Sequence, residues 1–311
     1  MSSSSSSTVV QTLTNYARGI FPDLVASQDP IISRMAPIVP TGSATGKYKN
    51  FSDKNAFQNA PTARAIGGPA RRLEFLATDA DYNCTPQALE IGIDDHERLQ
   101  AGDMESQMEE GKIQTLLTSA AMSHVNDVVV AAKAGLSAAV TPNWTNASTC
   151  TPIDDIDAQI QAIADDIGMF PTDIIFGLSA WRRFRAAAQV KSSFPNAAVV
   201  GVTPEQAAGI LLNPSIRIGV STSIRDTAKV GAAKATANIL GAEVFVFYAA
   251  PTPNTMDASF MKVFSTGRNS IESVRRYREE RNRSDMLAVD WSRDIRVTST
   301  VSARRLTVTV A

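Results

Sequence analysis

Apolar positions recur most regularly between residues 153 and 184. Ile153, Ile156, Ile160, Ile163 and Ile167 follow one another at spacings of three and four, which places them on one face of a helix. Thr151-Pro152-Ile153-Asp154 offers an N-cap, a first-turn proline and an acid at its start, and Gly168 marks its end. Asp173-Ile-Ile-Phe176 is a short apolar run between Pro171 and Gly177 and predicts a buried strand. Ser179 then stands where a cap belongs, before a helix predicted over Ala180–Gln189.

A second, longer helical pattern opens at Asp94 and Asp95, acids that suit the positive end of a helix dipole, and runs to about Ala134. Ile113, Leu116, Leu117, Ala120, Ala121, His124, Val125, Val128, Val129 and Ala132 share its broad apolar face, and Gly102 and Gly111 are its weak points. Unbroken, it would span about 60 Å, which suits a scaffold element better than a compact domain. Two extended stretches, Lys47–Phe51 and Arg71–Thr78, flank some twenty irregular residues and predict a long two-stranded arm. Tyr82–Ile93 reads as a strand turning near Pro86, Thr203–Leu212 as a helix, and Ile216–Val220, Ile239–Tyr248 and Phe260–Phe264 as strands. Alternation from Asp294 to Val310 predicts a hairpin that pairs with something earlier in the chain. Residues 1–35 carry Val9, Val10, Leu13, Ile20 and Phe21 too sparsely for a core, so a disordered tail or an arm that orders against a partner is expected. The whole reads as an α+β domain built from two distant segments, with an α/β domain inserted between them.

Composition narrows the function. A net charge of −1 argues against a dedicated nucleic-acid binder. Cys84 and Cys150 are too few and too far apart for a disulfide framework and predict reduced thiols in a cytosolic setting. The serine run after Met1 is not a signal peptide, and no apolar run is long enough for a membrane span. Charge is unevenly distributed. Between residues 47 and 72, Lys47, Lys49, Lys54, Arg64, Arg71 and Arg72 face only Asp53, a net +5; between 94 and 127 eight acids face Arg98 and Lys112, a net −6.

Candidate chemistry is sparse. No P-loop, dinucleotide fingerprint, nucleophile elbow, zinc-protease motif or C-x-x-C occurs. Asp94-Asp95-His96-Glu97 reads as ordinary helix-start acids rather than a metal cluster, His124 as a core histidine, and Asp154, Asp155, Asp157, Asp165 and Asp166 as a polar helix face. No cofactor or metal is expected.

The ordered set resembles the major capsid protein of tailed phages, with its HK-ninety-seven-like fold. Phe170-Pro-Thr-Asp-Ile-Ile-Phe-Gly-Leu-Ser-Ala-Trp is the closest local match; Val230-Gly-Ala-Ala-Lys-Ala-Thr-Ala-Asn-Ile-Leu-Gly-Ala-Glu-Val and Ala258-Ser-Phe-Met-Lys-Val-Phe are similar to coat-protein segments. The resemblance implies an N-terminal arm (1–37), an extended loop (38–78), a peripheral domain with a spine helix (79–149), an inserted axial domain (150–265) and a C-terminal return to the peripheral domain (266–311). It implies hexamers and pentamers closing an icosahedral shell, a portal, a separate scaffolding protein or none, decoration proteins in some relatives, and packaged double-stranded DNA held without sequence-specific contacts or any membrane. Such a protein would be assembled in the host cytoplasm and end in the virion capsid. Inter-subunit contacts are expected from Lys47, Lys49, Lys54, Arg64, Arg71 and Arg72 of the loop against Glu105, Glu109 and Glu110 of the spine helix, with Arg275, Arg276 and Arg278 adding more. Some relatives form a Lys–Asn cross-link, and Lys47, Lys49 or Lys54 with Asn282 and Glu279 or Glu280 would fill those roles; no motif ties them together, and non-covalent locking is expected. An encapsulin-like cargo compartment shares the fold and is the alternative. An enzyme would need a convergent polar cluster, which the sequence does not offer.

Overall fold

The computed structural model describes residues 3–51, 63–64, 66–68, 77–137, 140–194, 201–226, 233, 235–266 and 271–310. Two sheets back onto a shared core. In the four-stranded sheet, β5 (Asp173–Gly177) pairs in parallel with β6 (Arg217–Ser221) and antiparallel with β9 (Glu243–Phe247), which pairs antiparallel with β13 (Ala303–Thr307). Every residue of β5 and β9 is buried, because both faces of this sheet are covered. Ile174, Phe176, Val244 and Val246 point to one apolar cluster, and Ile175, Phe245 and Phe247 alternate onto the other.

The first cluster is closed by α5 (Pro152–Ile167), α6 (Leu178–Ala186) and α7 (Ala188–Ser193). The isoleucine stripe of α5 is buried as its spacing predicts, and the helix ends at Gly168 in the left-handed conformation, φ 71°. The start of α6 differs from expectation. Ser179 is not the cap: β5 passes into the helix at Gly177, and the Ser179 amide donates to the Gly241 carbonyl. A Cβ on Gly177 would stand 2.4 Å from that same carbonyl, so only glycine allows this close crossing. Thr203 and Gln206 form a reciprocal capping box, but the helix they open, α8 (Pro204–Ala208), stops at Gly209 rather than reaching Leu212.

In the five-stranded sheet, the long strand β12 (Ser284–Val297) is central. β4 (Thr85–Asp94) lies along one edge; β11 (Ser273–Glu279) and β10 (Met261–Ser265) follow one another along the other, and β1 (Ile38–Pro40) adds in parallel to β10. The expected hairpin over 294–310 is therefore not formed. β12 ends at Val297 in this sheet, while β13 crosses to the four-stranded one, since Leu306 and Val308 fit the cluster under α5. The strand predicted at 260–264, expected within the inserted axial domain (150–265), likewise pairs here.

The spine is broken where Gly102 takes φ 52°. α3 (Asp95–Ala101) gives way to a single tight turn, Gly102–Met104, and then to α4 (Glu105–Gly135), whose 31 residues span about 46 Å instead of 60. All the apolar-face residues predicted for its second half are buried. Over them lies α1 (Ser3–Gln28), which sequence reading took for a tail or partner-bound arm. Its seam is Leu13, Ala17, Phe21 and Val25, one residue every helical turn, and it packs on its own chain. The short helix α2 (Pro30–Met35) follows, capped by buried Asp29. Finally, β2 (Thr45–Asn50) forms a two-stranded ribbon with β3 (Thr78–Asn83), later than the expected partner 71–78, of which residues 71–76 lie outside the described residues. A second small ribbon joins β7 (Ile224–Asp226) to β8 (Thr236–Asn238). No described helix is long and apolar enough to cross a membrane.

Candidate assembly surfaces

The ribbon is rooted by aromatic stacking. Tyr48 and Tyr82 sit on opposite strands and pack on Phe264 of β10, with ring centroids 5.1 and 4.7 Å away. Register then sets acids opposite two of the loop's six cations. Lys47 stands opposite Asp81 and Lys49 opposite Asp79, and the Lys49 ammonium is 2.6 Å from the Asp79 carboxylate, holding that carboxylate below its ordinary pKa. Lys47 is exposed, and exposed Arg64 donates to the Gly68 carbonyl at 3.0 Å beside the turn at Gly67. Lys54, Arg71 and Arg72 lie outside the described residues.

The acids of the spine have partners inside the same chain. Glu109 is buried, 3.0 Å from Arg276 and 3.8 Å from Arg98; Arg98 also reaches Glu105 at 2.6 Å and Asp285 at 2.7 Å. Asp285 receives Arg276 at 2.9 Å and Arg278 at 3.3 Å, and Arg278 reaches on to Asp95 at 2.5 Å. Burial alone would raise the Asp285 carboxyl, but hydrogen bonds from Arg276, Arg98 and Arg278 hold it down at about 2. The hydrogen bond to Asp95 raises the pKa of Arg278 above its ordinary value. This network joins α3, α4, β11 and β12, so it sets the angle at which the β11–β12 hairpin meets the spine. Arg276 and Arg278 alternate along β11; they were expected, with Arg275, as inter-subunit contacts, Asp95 was read only as a helix-start acid and Arg98 only as a counter-charge, and Asp285 was not singled out. Arg275 turns to the other face, more than half exposed, and pairs with Asp290. Glu110 is exposed on α4.

A second polar cluster lies under α1. His124 is fully buried, with Arg293 3.1 Å from its Nδ1 and the Phe21 ring edge-on at 6.3 Å. Burial, then the Arg293 charge, push its pKa down to about 3, so it is a neutral core histidine. Arg293 is itself buried and reaches Asp127 at 2.9 Å. Elsewhere Arg34 forks onto fully buried Asp173 at 2.7 and 2.9 Å, and Lys133 and Arg305 both meet Glu243 at 2.5 Å, tying α4 to the four-stranded sheet. Cys84 and Cys150 are both free and buried. Among the described residues no group of three or more histidine, cysteine or acidic side chains is placed to hold a metal.

A broken spine helix under one sheet, a second sheet sandwiched between helices and a two-stranded ribbon make a fold shared with solved phage and prophage proteins. No family model and no curated protein matches the chain. Among solved structures, a phage-related protein from Bordetella bronchiseptica is similar over 95% of each chain, with a TM-score of 0.73 and 18% identity. A putative capsid protein of an Escherichia coli prophage matches over 95% of this chain and 99% of its own, with a TM-score of 0.56 and 10% identity. An encapsulin from Synechococcus elongatus matches over 90% and 87%, with a TM-score of 0.55 and 9% identity.

Proposed function

We propose that the chain is the major capsid protein of a tailed double-stranded DNA phage. It assembles as hexamers and pentamers into an icosahedral shell around the genome, and its role is structural rather than enzymatic. The observation that carries this reading is the whole-chain match to a phage-related protein, 95% of each chain at a TM-score of 0.73. In this reading residues 79–149 and 266–311 are the peripheral domain and 150–265 the axial domain, except that β10 joins the peripheral sheet and β13 the axial one; 1–37 is the arm and 38–78 the extended loop. The finer details of the HK-ninety-seven-like fold, a portal, a scaffolding protein, any decoration proteins, assembly in a host cytoplasm and the place in the virion belong to the same proposal. Exposed Lys47, Arg64, Arg275 and Glu110 are the proposed inter-subunit contacts with free faces; Lys49, Glu105, Glu109, Arg276 and Arg278 would contribute through the surfaces that their own-chain ion pairs hold in place. Lys54, Arg71 and Arg72 complete the loop's share.

Negative-stain electron microscopy and sedimentation velocity of the purified chain, alone and with its scaffold, test the reading. Closed shells, tubes or rings of five and six are the expected result; a monomer under both conditions would overturn it. The similarity to an encapsulin favours one alternative, a cargo compartment. Shells recovered from the native source separate the two, since DNA inside supports a capsid and an enclosed enzyme supports a compartment.

A further inference from the structure

Two features of the four-stranded sheet are left without a partner, and they lie at opposite ends of β5. After its C-terminal end, α6 and α7 border a groove of about 660 Å³ with Trp181 in its floor and a 42% exposed Leu178 at its lip. Arg182, Arg185 and Lys191 rim it. Between Asp173 and Glu205 the sequence holds four cations and no acid; among the described residues no carboxylate forms an ion pair with Arg182, Arg185 or Lys191. Before the N-terminal end of β5, the turn after α5 presents Met169 at 37% and Phe170 at 51% exposure, four and five residues after exposed Asp165. The first feature is a concave apolar site rimmed with positive charge. The second is an apolar knob about one helical turn past an exposed acid.

We infer that the Met169–Phe170 knob of one copy seats in the α6–α7 groove of the next, with Asp165 facing the Arg182–Arg185 rim. This rests on the shell reading and specifies how neighbouring copies meet. Because knob and groove stand at opposite ends of one strand, the contact is heterologous: repetition closes a ring or runs on as a filament. An exposed aromatic entering a pocket floored by tryptophan is the kind of anchor that carries most of an interface's affinity. The charged rim adds orientation and disfavours groove-to-groove docking, which would set like charges together. A second copy is favoured over DNA as occupant because DNA would leave the apolar floor unmatched.

The test uses two variants of the full chain, Phe170→Asp, which spoils the knob, and Arg182→Glu with Arg185→Glu, which spoils the groove. All three positions are exposed, and circular dichroism with thermal melting checks that each variant is folded. Each alone is expected to associate at least tenfold more weakly than the unaltered chain in sedimentation equilibrium. Mixed, they still hold one good knob and one good groove, so the mixture is expected to associate at least tenfold more tightly than either alone and to stop at 1:1 dimers. Shells formed by both variants as readily as by the unaltered chain would overturn this contact and leave the shell reading intact. An unaltered chain that stays monomeric with its scaffold overturns the shell reading, and an equally monomeric mixture then removes this contact with it. If the groove variant assembles normally but loses retention of double-stranded DNA in a gel-shift assay, the groove belongs to nucleic acid and the inference is wrong.

Discussion

The core under α5 and the root of the spine helix are held by opposite kinds of interaction. Beneath α5, Trp144, Phe176, Trp181 and Phe184 pack ring against ring, Trp181 stacked on Phe184 at 5.5 Å, and the isoleucine stripe fills the remainder. At the spine root, arginines and carboxylates from four elements interlock. Apolar packing is non-directional and indifferent to protons, so the first region sets how stable the sheet is. Charge-assisted hydrogen bonds are directional and titratable, so the second sets geometry: how the β11–β12 hairpin is carried on the spine. In a shell, errors of angle accumulate from copy to copy, which gives a reason for placing the directional network there.

The sharpest way to break the comparison is to cut into the apolar side. Phe184→Ala removes a ring that is fully buried and touches three other aromatic side chains, and should cost about 3–5 kcal/mol. Urea unfolding followed by tryptophan fluorescence measures it, and the loss should be the same at pH 5 and pH 8. A loss that varied with pH would mean the two regions are not energetically separate.

Asp285→Asn attacks the other side. It removes the negative charge that Arg98, Arg276 and Arg278 share, and should cost about 2 kcal/mol at neutral pH, the scale of a hydrogen bond to a charged group. The folded carboxyl titrates at about 2, below its value in an unfolded chain, so its stabilisation is present above about pH 4 and is lost as pH falls through 2. The gap between the unaltered chain and the variant should therefore close over that window. A gap that persisted at pH 2 would assign the effect to packing.

The same division explains what could be read in advance. The α5–β5 unit was legible because its isoleucine period and bounding glycines are local signals. α1 was missed because Ala17 is small and leaves Leu13 and Phe21 two turns apart, so the density looked too low until α4 supplied the opposite face. β12 was only half seen. Leu287, Val289 and Trp291 alternate toward the core, but the arginine-rich run before them hid where the strand begins. The ionic network was least legible of all, since Arg98 and Asp285 stand 187 residues apart and no local pattern joins them.

His124 sits between the two kinds of interaction, a titratable group inside an apolar seam. His124→Gln keeps a polar group of similar reach beside Arg293, so at pH 8 the cost should be about 1 kcal/mol. Its folded pKa of about 3 is below the ordinary histidine value of 6.5, so the unfolded chain takes up the proton first. Stability from this group is complete above about pH 6.5 and is lost as pH falls toward 3. Asp127, exposed at 40%, pairs with Arg293 at the solvent side of this cluster. The unaltered chain should lose stability between pH 6.5 and 4.5 in urea melts, and the variant should be flatter there. Equal slopes would mean that another group carries the acid sensitivity of the α1–α4 seam.

Lys47 should give the smallest effect on the isolated chain and the most informative contrast with Asp285. It is exposed, opposite Asp81 on a two-stranded ribbon, and an exposed pair of this kind contributes about 0–1 kcal/mol. Lys47→Ala should therefore leave urea unfolding of the monomer almost unchanged. If the ribbon lies on a neighbouring copy, the same substitution is repeated at every contact of the shell, and the salt concentration needed to dissociate shells should fall measurably. Asp285→Asn should do the reverse, weakening the monomer first. A Lys47→Ala chain whose shells resist salt as well as the unaltered ones would leave the ribbon's charge without an assembly role, and its attachment would then rest on apolar contacts.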